Sequence, residues 1–500
     1  MSAVAPAFGA TPAAERPRTG RPAAAQPPRV WRHPALGMTA VLVLGALVVG
    51  AATTQGAAAA IAALVAVAGA LVVLERPWIG GIALVAVVPV LAGLRRGLPV
   101  PGLRISELLI VGLSAVILLS ADRRVVPRWR AFDWVALGYA LVTLGFGLWD
   151  LHQRGDPVDS ARLGTLLGPL QFFLLYRAVV SSLSTPELCR KALWWVLGSG
   201  VFAALLALAQ FVGVGPVSSL LKNVAGGDNF DDAAAGGVAR VTGPFSHAQP
   251  ASAFFFLLVC VAAAVCLSDR DNIRHRSATW AVLAISTLAL MATFTMGPIL
   301  SVLVAVSLVA FWRRKLRVVS LWFIVACLAG ALAFSGPITG RINQQFERDP
   351  SAAGSALVPQ TLTYRYGIWT DQYFPALHGR LLTGYGPDIP PEITWRYTES
   401  LYISLALRGG IPLLILYAAF VLTLAAEAYR AMRELEGIER SLAQALLAAL
   451  ILLLPMQVIQ AYFIQAGPGH LVWALGALVI AARNARTRGL PDPVPAPAGA

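Results

Sequence analysis

Charge is scarce in this chain. Asp, Glu, Lys and Arg make up 13% of its 500 residues, about half the share of an ordinary soluble domain, which excludes a charged-surfaced globule or a solvated polyelectrolyte. Acidic residues are the rarer sign, 25 against 39 Lys and Arg, giving a formal net charge of +14 and a pI near 10.2. Such a balance can indicate nucleic acid, but here the basic residues lie between apolar segments, so no nucleic-acid partner is expected. Cysteine occurs four times. Cys189, Cys260, Cys266 and Cys327 fall in apolar runs or on the expected inner face without ligand spacing, indicating neither a disulfide framework nor a zinc site. No convincing internal repeat is present.

What remains is hydrocarbon. Hydrophobic residues reach 57% and mean hydropathy is +0.69, as in a polytopic membrane protein. Windows able to span a bilayer, at least about 17 apolar residues at 1.5 Å each, lie near 35–53, 57–74, 78–94, 105–121, 133–149, 161–183, 190–213, 250–268, 278–295, 297–312, 318–336, 399–424, 441–462 and 468–483. The pair meeting at "TMGP" (295–298) is the weakest division. The expected fold is all-α, with about 12–14 transmembrane helices and two long extracytoplasmic loops, 214–249 and 337–398, the second partly helical. Residues 1–34 read as a disordered basic cytoplasmic tail followed by an uncleaved anchor, 35–486 as the membrane domain, and 487–500 as a disordered Pro/Ala-rich tail.

Orientation follows from the basic residues. "DRRVVPRWR" (122–130), "DRDNIRHR" (269–276) and "RRKLR" (313–317) fall on one side of the expected topology, which makes that side cytoplasmic. Both termini are then cytoplasmic and both long loops face outward, in the cytoplasmic (inner) membrane. "EAYRAMRELEGIER" (427–440) reads as a solvated helical extension, with Arg430–Glu434 and Glu436–Arg440 at i, i+4 spacing. Arg177, near the inner end of its span, is expected to snorkel, and Asp150, Asp156 and Asp159 to lie in a solvated loop.

The outward side collects residues suited to chemistry. Arg240 precedes a Gly-Pro turn and can bind a phosphate or sit beside lipid headgroups. His247, just before the next span, can be a base, a substrate donor or a turn residue. The second loop holds Arg365, Arg380 and Arg396 with Asp371, Asp388, Glu392 and Glu399. Arginine suits pyrophosphate because its planar fork stays protonated and bonds bidentately, and a nearby carboxylate can take a proton from an attacking hydroxyl. Gly384 and Gly386 in "TGYGP" permit tight turning. Arg95, Arg96 and Arg104, near Glu107, form a reserve phosphate or headgroup site.

Four stretches in fixed order carry a resemblance: "RVTGPFSHAQPASAF" (240–254), "TFTMGPILSVLVAV" (293–306), "RYGIWTDQYFPALHGRLLTGYGP" (365–387) and "TESLYISLALRGGIPLLIL" (398–416). Together the chain resembles the O-antigen ligase and O-antigen polymerase superfamily, bacterial membrane glycosyltransferases of surface-polysaccharide assembly. The resemblance implies a polyprenyl-pyrophosphate-linked saccharide donor, a glycan or lipid-linked glycan acceptor, contact with membrane lipid, no cofactor, and inverting, metal-independent transfer on the outer side of the membrane. It implies pyrophosphate binding by Arg240, Arg365 and Arg396, a catalytic Glu399, and substrate positioning by His247, Tyr402 and Arg408. The chain departs from the pattern at three places. Glu399 and Ser400 stand where many ligases have His-Asn, Thr295-Met296-Gly297 replaces Ser-Arg-Gly, and Arg408 replaces a frequent Glu. The first departure favours a polymerase over a ligase. A lipid-linked oligosaccharide flippase or other transporter, and a non-catalytic glycan-binding scaffold, are the alternative readings.

Overall fold

The computed structural model describes residues 67–95, 104–120, 127–225, 240–268, 276–346, 360–390, 392–394 and 398–489. The N-terminal tail, the first expected span and most of the second, Arg96, Arg396 and the end of the C-terminal tail lie outside the described residues. The chain forms two compact units, Met1–Val67 and Ala68–Ala500, and the helices described here build the second.

Every expected span from residue 78 onward meets a helix, and no strand occurs among the described residues. In chain order the helices are α1 (Val67–Glu75), α2 (Pro77–Ala86), α3 (Ile105–Ser120), α4 (Ala131–Arg154), α5 (Ser160–Ser182), α6 (Pro186–Phe211), α7 (Gly215–Ala225), α8 (Ala248–Cys266), α9 (Arg276–Ala292), α10 (Met296–Trp312), α11 (Leu316–Phe346), α12 (Gln360–Ile368), α13 (Leu401–Glu434), α14 (Gly437–Met456) and α15 (Pro468–Gly489). Six helices are long and apolar enough to cross a bilayer, α4, α5, α6, α8, α13 and α14. The pair α1–α2, bent by 117°, makes a seventh if it is one broken span, and shorter apolar helices lie in α3, α9, α10 and α11. The chain is an all-α, multi-pass membrane protein.

Composition decides which helix sits at the centre. α8 is apolar on every face, and 94% of its span is buried inside the protein, the condition for a core helix. α6, α9, α10, α14 and α15 pack around it. Small residues permit close approach: a Cβ on Gly200 of α6 would meet Leu258 at 2.5 Å. The weak division at "TMGP" is a true break, where Phe294 takes a left-handed φ of 47° between α9 and α10.

α13 is also broken. Gly409 and Gly410 leave helical geometry, and Gly410 has φ 64° and ψ −161°, a region open essentially to glycine alone. Pro412 has no N–H to give the Arg408 carbonyl. The loop supplies what the helix loses: Gly386 N–H donates to the Arg408 carbonyl (3.2 Å), Tyr385 N–H to the Leu407 carbonyl (2.5 Å), and Ile411 N–H to the Leu381 carbonyl (2.7 Å). Ile368, Tyr373, Leu377 and Ile393 bury themselves against Ile403, Ala406 and Leu407, so the loop folds onto the short segment of α13 before the break.

The other end of α13 is an ionic clamp, different in detail from the expected solvated extension. Glu427 is 4% exposed and pairs with Arg130 (2.6 Å), Arg483 (2.5 Å) and Arg430 (2.9 Å). Glu434 pairs with Arg483 and Glu436 with Arg486, rather than with the i, i+4 partners anticipated. Arg177 does not snorkel. It pairs with buried Asp133 at 2.6 Å and lies 5.0 Å from the Trp129 ring centre, because a carboxylate is available at its own depth.

A side chain at Gly410 has no room, since its Cβ would meet the Leu381 carbonyl at 2.3 Å. Gly410→Ala is expected to destabilise the protein by about 1–3 kcal/mol, read as a lower unfolding temperature in detergent. An unchanged transition would show that the stitched break is not a fixed part of the fold.

Candidate functional site

The site lies where α13 begins, at the end of the bundle opposite the Glu427 clamp. Arg240 is placed by the α9–α10 break: its Nε donates to the Thr293 carbonyl (3.0 Å), one terminal nitrogen donates to Thr295 Oγ1 (2.7 Å), and Val241 N–H donates to the Ala292 carbonyl (3.3 Å). The Gly-Pro turn that follows is fixed from below. Thr242 and Gly243 N–H both donate to Gln210 Oε1 at 3.0 Å. Phe245 wedges against Gly93 and Gly467, where a Cβ would come within 2.8 Å and 2.5 Å of its ring. Two of the four motif stretches therefore form one unit.

Arg365, on α12, forms an ion pair with Glu399, and each side chain is about a quarter exposed. Glu399 stands just before α13, whose first N–H, from Leu401, donates to the Gln457 carbonyl at 2.9 Å. That bond ties it to the α14–α15 connection, where Tyr462 lies 2% exposed. The Tyr462 hydroxyl shares a hydrogen bond with Ser252 of α8 and feels the charges of both Arg240 and Arg365. Burial pushes its phenol up to about 12 despite those three influences, so it remains a neutral O–H at physiological pH. Arg240, Arg365, Glu399 and Tyr462 thus come from four separate segments to one place.

The remaining candidates lie around this cluster or apart from it. His247 is the extended residue capping α8, half-buried, with Ser252 just over a turn along the same helix. Tyr402 donates its hydroxyl to the Leu454 carbonyl (2.8 Å) and stacks edge-on with Tyr417 at 6.2 Å, tying α13 to α14. Arg408 lies about 10 Å along the helix from Leu401 at 1.5 Å per residue, beside the break, where its charge meets the Tyr139 phenol of α4.

The loop carrying Arg380 is held down by charge. Asp150, 3% exposed, takes both Arg154 and Arg380, the latter at 3.2 Å. Arg380 also covers the Tyr385 ring at 5.3 Å, and Arg162 reaches Asp388 at 3.2 Å. Asp150 therefore anchors the second loop instead of lying in a solvated one, while Asp156 and Asp159 stay partly exposed and pair with Arg162. Arg104 and buried Glu107 are joined through the Arg104 N–H (3.0 Å).

Comparison with known families matches the part of the chain that holds the arginine-carboxylate pair and the glycine-stitched break. The family model described as O-Antigen ligase matches residues 281–418. That match supports the resemblance to the O-antigen ligase and polymerase superfamily. No curated protein matches the chain.

The O-antigen ligase segment runs from α9 to Ala418 in α13 and includes Arg365, Glu399, Tyr402 and Arg408. Arg240 and His247 precede it, and Arg240 joins it through its hydrogen bonds to Thr293 and Thr295. Sequence reasoning missed Tyr462, which closes the expected apolar window 441–462. Its signal was the polar, glycine-bearing run "QAYFIQAGPG" (460–469), too rich in turn-formers to be the end of a helix.

Asp150→Asn removes the charge that holds Arg154 and Arg380, leaving both cations underpaired. Backbone amides of 378–388 are expected to exchange about tenfold faster or more in hydrogen-exchange mass spectrometry, with α8 unchanged. Equal protection in the variant would show that the loop is held by backbone bonds alone.

Proposed function

We propose that this cluster is the transfer site of an O-antigen ligase-type glycosyltransferase acting on a polyprenyl-pyrophosphate-linked saccharide. The observation that carries the reading is the ion pair of Arg365 with the Glu399 carboxylate, with Arg240 fixed by Thr293 and Thr295 at the α9–α10 break and Tyr462 within reach of both arginine charges. Two arginines and a neutral phenol O–H are donors suited to a pyrophosphate leaving group. Glu399 is the one carboxylate paired within that group among the described residues, and the fitting proton acceptor. Arg396 and His247 join the donor site in this reading, with Tyr402 and Arg408 supporting α13 beneath it.

In the proposed reaction, an acceptor-sugar hydroxyl oxygen attacks the anomeric carbon and forms the new glycosidic bond. The bond from that carbon to the pyrophosphate oxygen breaks, its electron pair leaves with polyprenyl pyrophosphate, and the hydroxyl proton passes to Glu399. Attack opposite the leaving group inverts the anomeric configuration. The arginines offset negative charge as it grows on the leaving oxygen.

The excess of Lys and Arg on the loops at the Glu427 end supports placing that end in the cytoplasm and the site outside. Glu399-Ser400 in place of His-Asn favours a polymerase, with a lipid-linked glycan as acceptor. The broken helices α13 and α1–α2 are also features of carriers, which gives the transport reading its one structural support.

The test is transfer of a lipid-linked repeat by purified protein. Glu399→Gln is expected to lower turnover by about 10²–10⁴-fold, the usual contribution of a general base, and Arg365→Ala to lower it further while weakening donor binding. In a deletion strain, accumulated single repeats with loss of long polymer identify a polymerase, and accumulated full-length lipid-linked polymer a ligase. Wild-type turnover by Glu399→Gln would remove the base from this reading, and movement of donor across a bilayer without transfer would replace it with transport.

A further inference from the structure

Glu399 and an incoming pyrophosphate want the same partner. The Arg365 guanidinium is already paired to the Glu399 carboxylate, and Arg365 is also one of the two arginines whose charge converges on Tyr462. Arg240 is fastened to the Thr293 carbonyl and the Thr295 hydroxyl at the α9–α10 break. The cluster therefore contains a fixed cation and a cation shared with an internal anion.

A carboxylate in an ion pair is a poor proton acceptor, because the neighbouring cation stabilises its charged form. As long as Arg365 holds Glu399, the base is disarmed. A pyrophosphate presents more charge and more acceptor oxygens than one carboxylate, and a planar guanidinium bonds it bidentately.

Resting on the transfer-site reading above, we propose that Glu399 is an internal competitor for the pyrophosphate seat, displaced from Arg365 when the donor binds and thereby released to act as base. The ligand class is a polyprenyl pyrophosphate, and the regulation is one of order. The donor binds first, its pyrophosphate takes Arg365, and the freed carboxylate then faces the acceptor hydroxyl. No covalent bond changes in this step: one ion pair is exchanged for another. The consequence is that acceptor, or water, arriving before the donor meets no active base. An exchange of this kind draws a small penalty from donor affinity, since part of the new pairing replaces the old one.

That penalty gives the proposal its test. Farnesyl pyrophosphate is titrated into full-length detergent-purified protein by calorimetry, with wild type, Glu399→Gln, Arg365→Ala and the double variant compared at one salt concentration. Removing the competitor's charge is expected to tighten binding about five- to tenfold while turnover falls. On the Arg365→Ala background the same change is expected to give no gain, as a pairwise coupling requires. Glu399→Asp, which keeps the charge but shortens the reach to Arg365, is expected to tighten binding by a smaller factor and serves as the independent variant. Unchanged or weaker binding in both Glu399→Gln and Glu399→Asp, with wild type still binding, overturns the competition and leaves the transfer site standing. An equal gain on the Arg365→Ala background also overturns it, because the competition would then not run through Arg365. Phosphatidylglycerol is titrated in parallel. A gain of the same size for that headgroup would assign the seat to anionic lipid and overturn the donor-release proposal. Absence of any farnesyl pyrophosphate binding by wild type would sink the transfer-site reading itself.

Discussion

Broken helices in a membrane protein must have their freed backbone groups satisfied, and the break at Gly409–Gly410 organises much of the Glu399 end of the bundle. Pro412 and the two glycines cost α13 its own ladder at Leu407 and Arg408, and the segment 381–386 replaces it with three backbone bonds. Because those bonds come from the loop, the loop cannot be placed independently of the helix. Arg365 lies upstream in the same folded piece, whose apolar side rests on Ile403, Ala406 and Leu407. Stitching the break therefore also delivers Arg365 to Glu399. The glycines of "TGYGP" matter for the same reason: a Cβ on Gly384 would meet the Leu407 carbonyl at 2.5 Å, so only a bare backbone can come close enough to donate.

The two ends of α13 use charge differently. At the Glu427 end, carboxylates and guanidinium groups form a mutually paired network across α4, α13 and α15. Glu427 is buried and shared by three guanidinium groups, so removing it would leave partly buried cations underpaired, and the network is structural. At the Glu399 end, Arg240 is held by uncharged oxygens, and a single carboxylate is paired with Arg365. The proposed site and the clamp are both built from arginine, but they draw on different partners.

Much of the architecture could be read from hydropathy alone, because a bilayer imposes length and apolarity on each span and both are local properties. The expected windows from 78 onward coincide with helices, and even the "TMGP" division is real. Pairing was less legible. Arg177 looked like a snorkelling residue because sequence does not reveal that Asp133 lies at its depth, and Arg430 looked like a partner for Glu434 because i, i+4 spacing is visible while the approach of Arg483 from α15 is not. For the site, the residue types and their order were legible as motifs, but their convergence was not. Tyr462 was missed since it arrives from a connection far along the chain, and Asp150 was misread since its partner Arg380 is 230 residues away.

The departure at Glu399 gains a physical meaning from this arrangement. An imidazole, as in the His-Asn found in many ligases that the chain resembles, is neutral when it serves as a base and does not compete for arginine. A carboxylate in the same place is an anion near arginine cations, and Arg365 is the one it pairs with. Substituting Glu for His therefore does more than exchange one proton acceptor for another. In the proposed reading it couples the base to the occupancy of the neighbouring anion seat, a coupling strongest where the pair is least screened by water. A site built in this way resists premature chemistry without a moving lid, because the same arginine cannot hold its resting partner and the donor at full strength together.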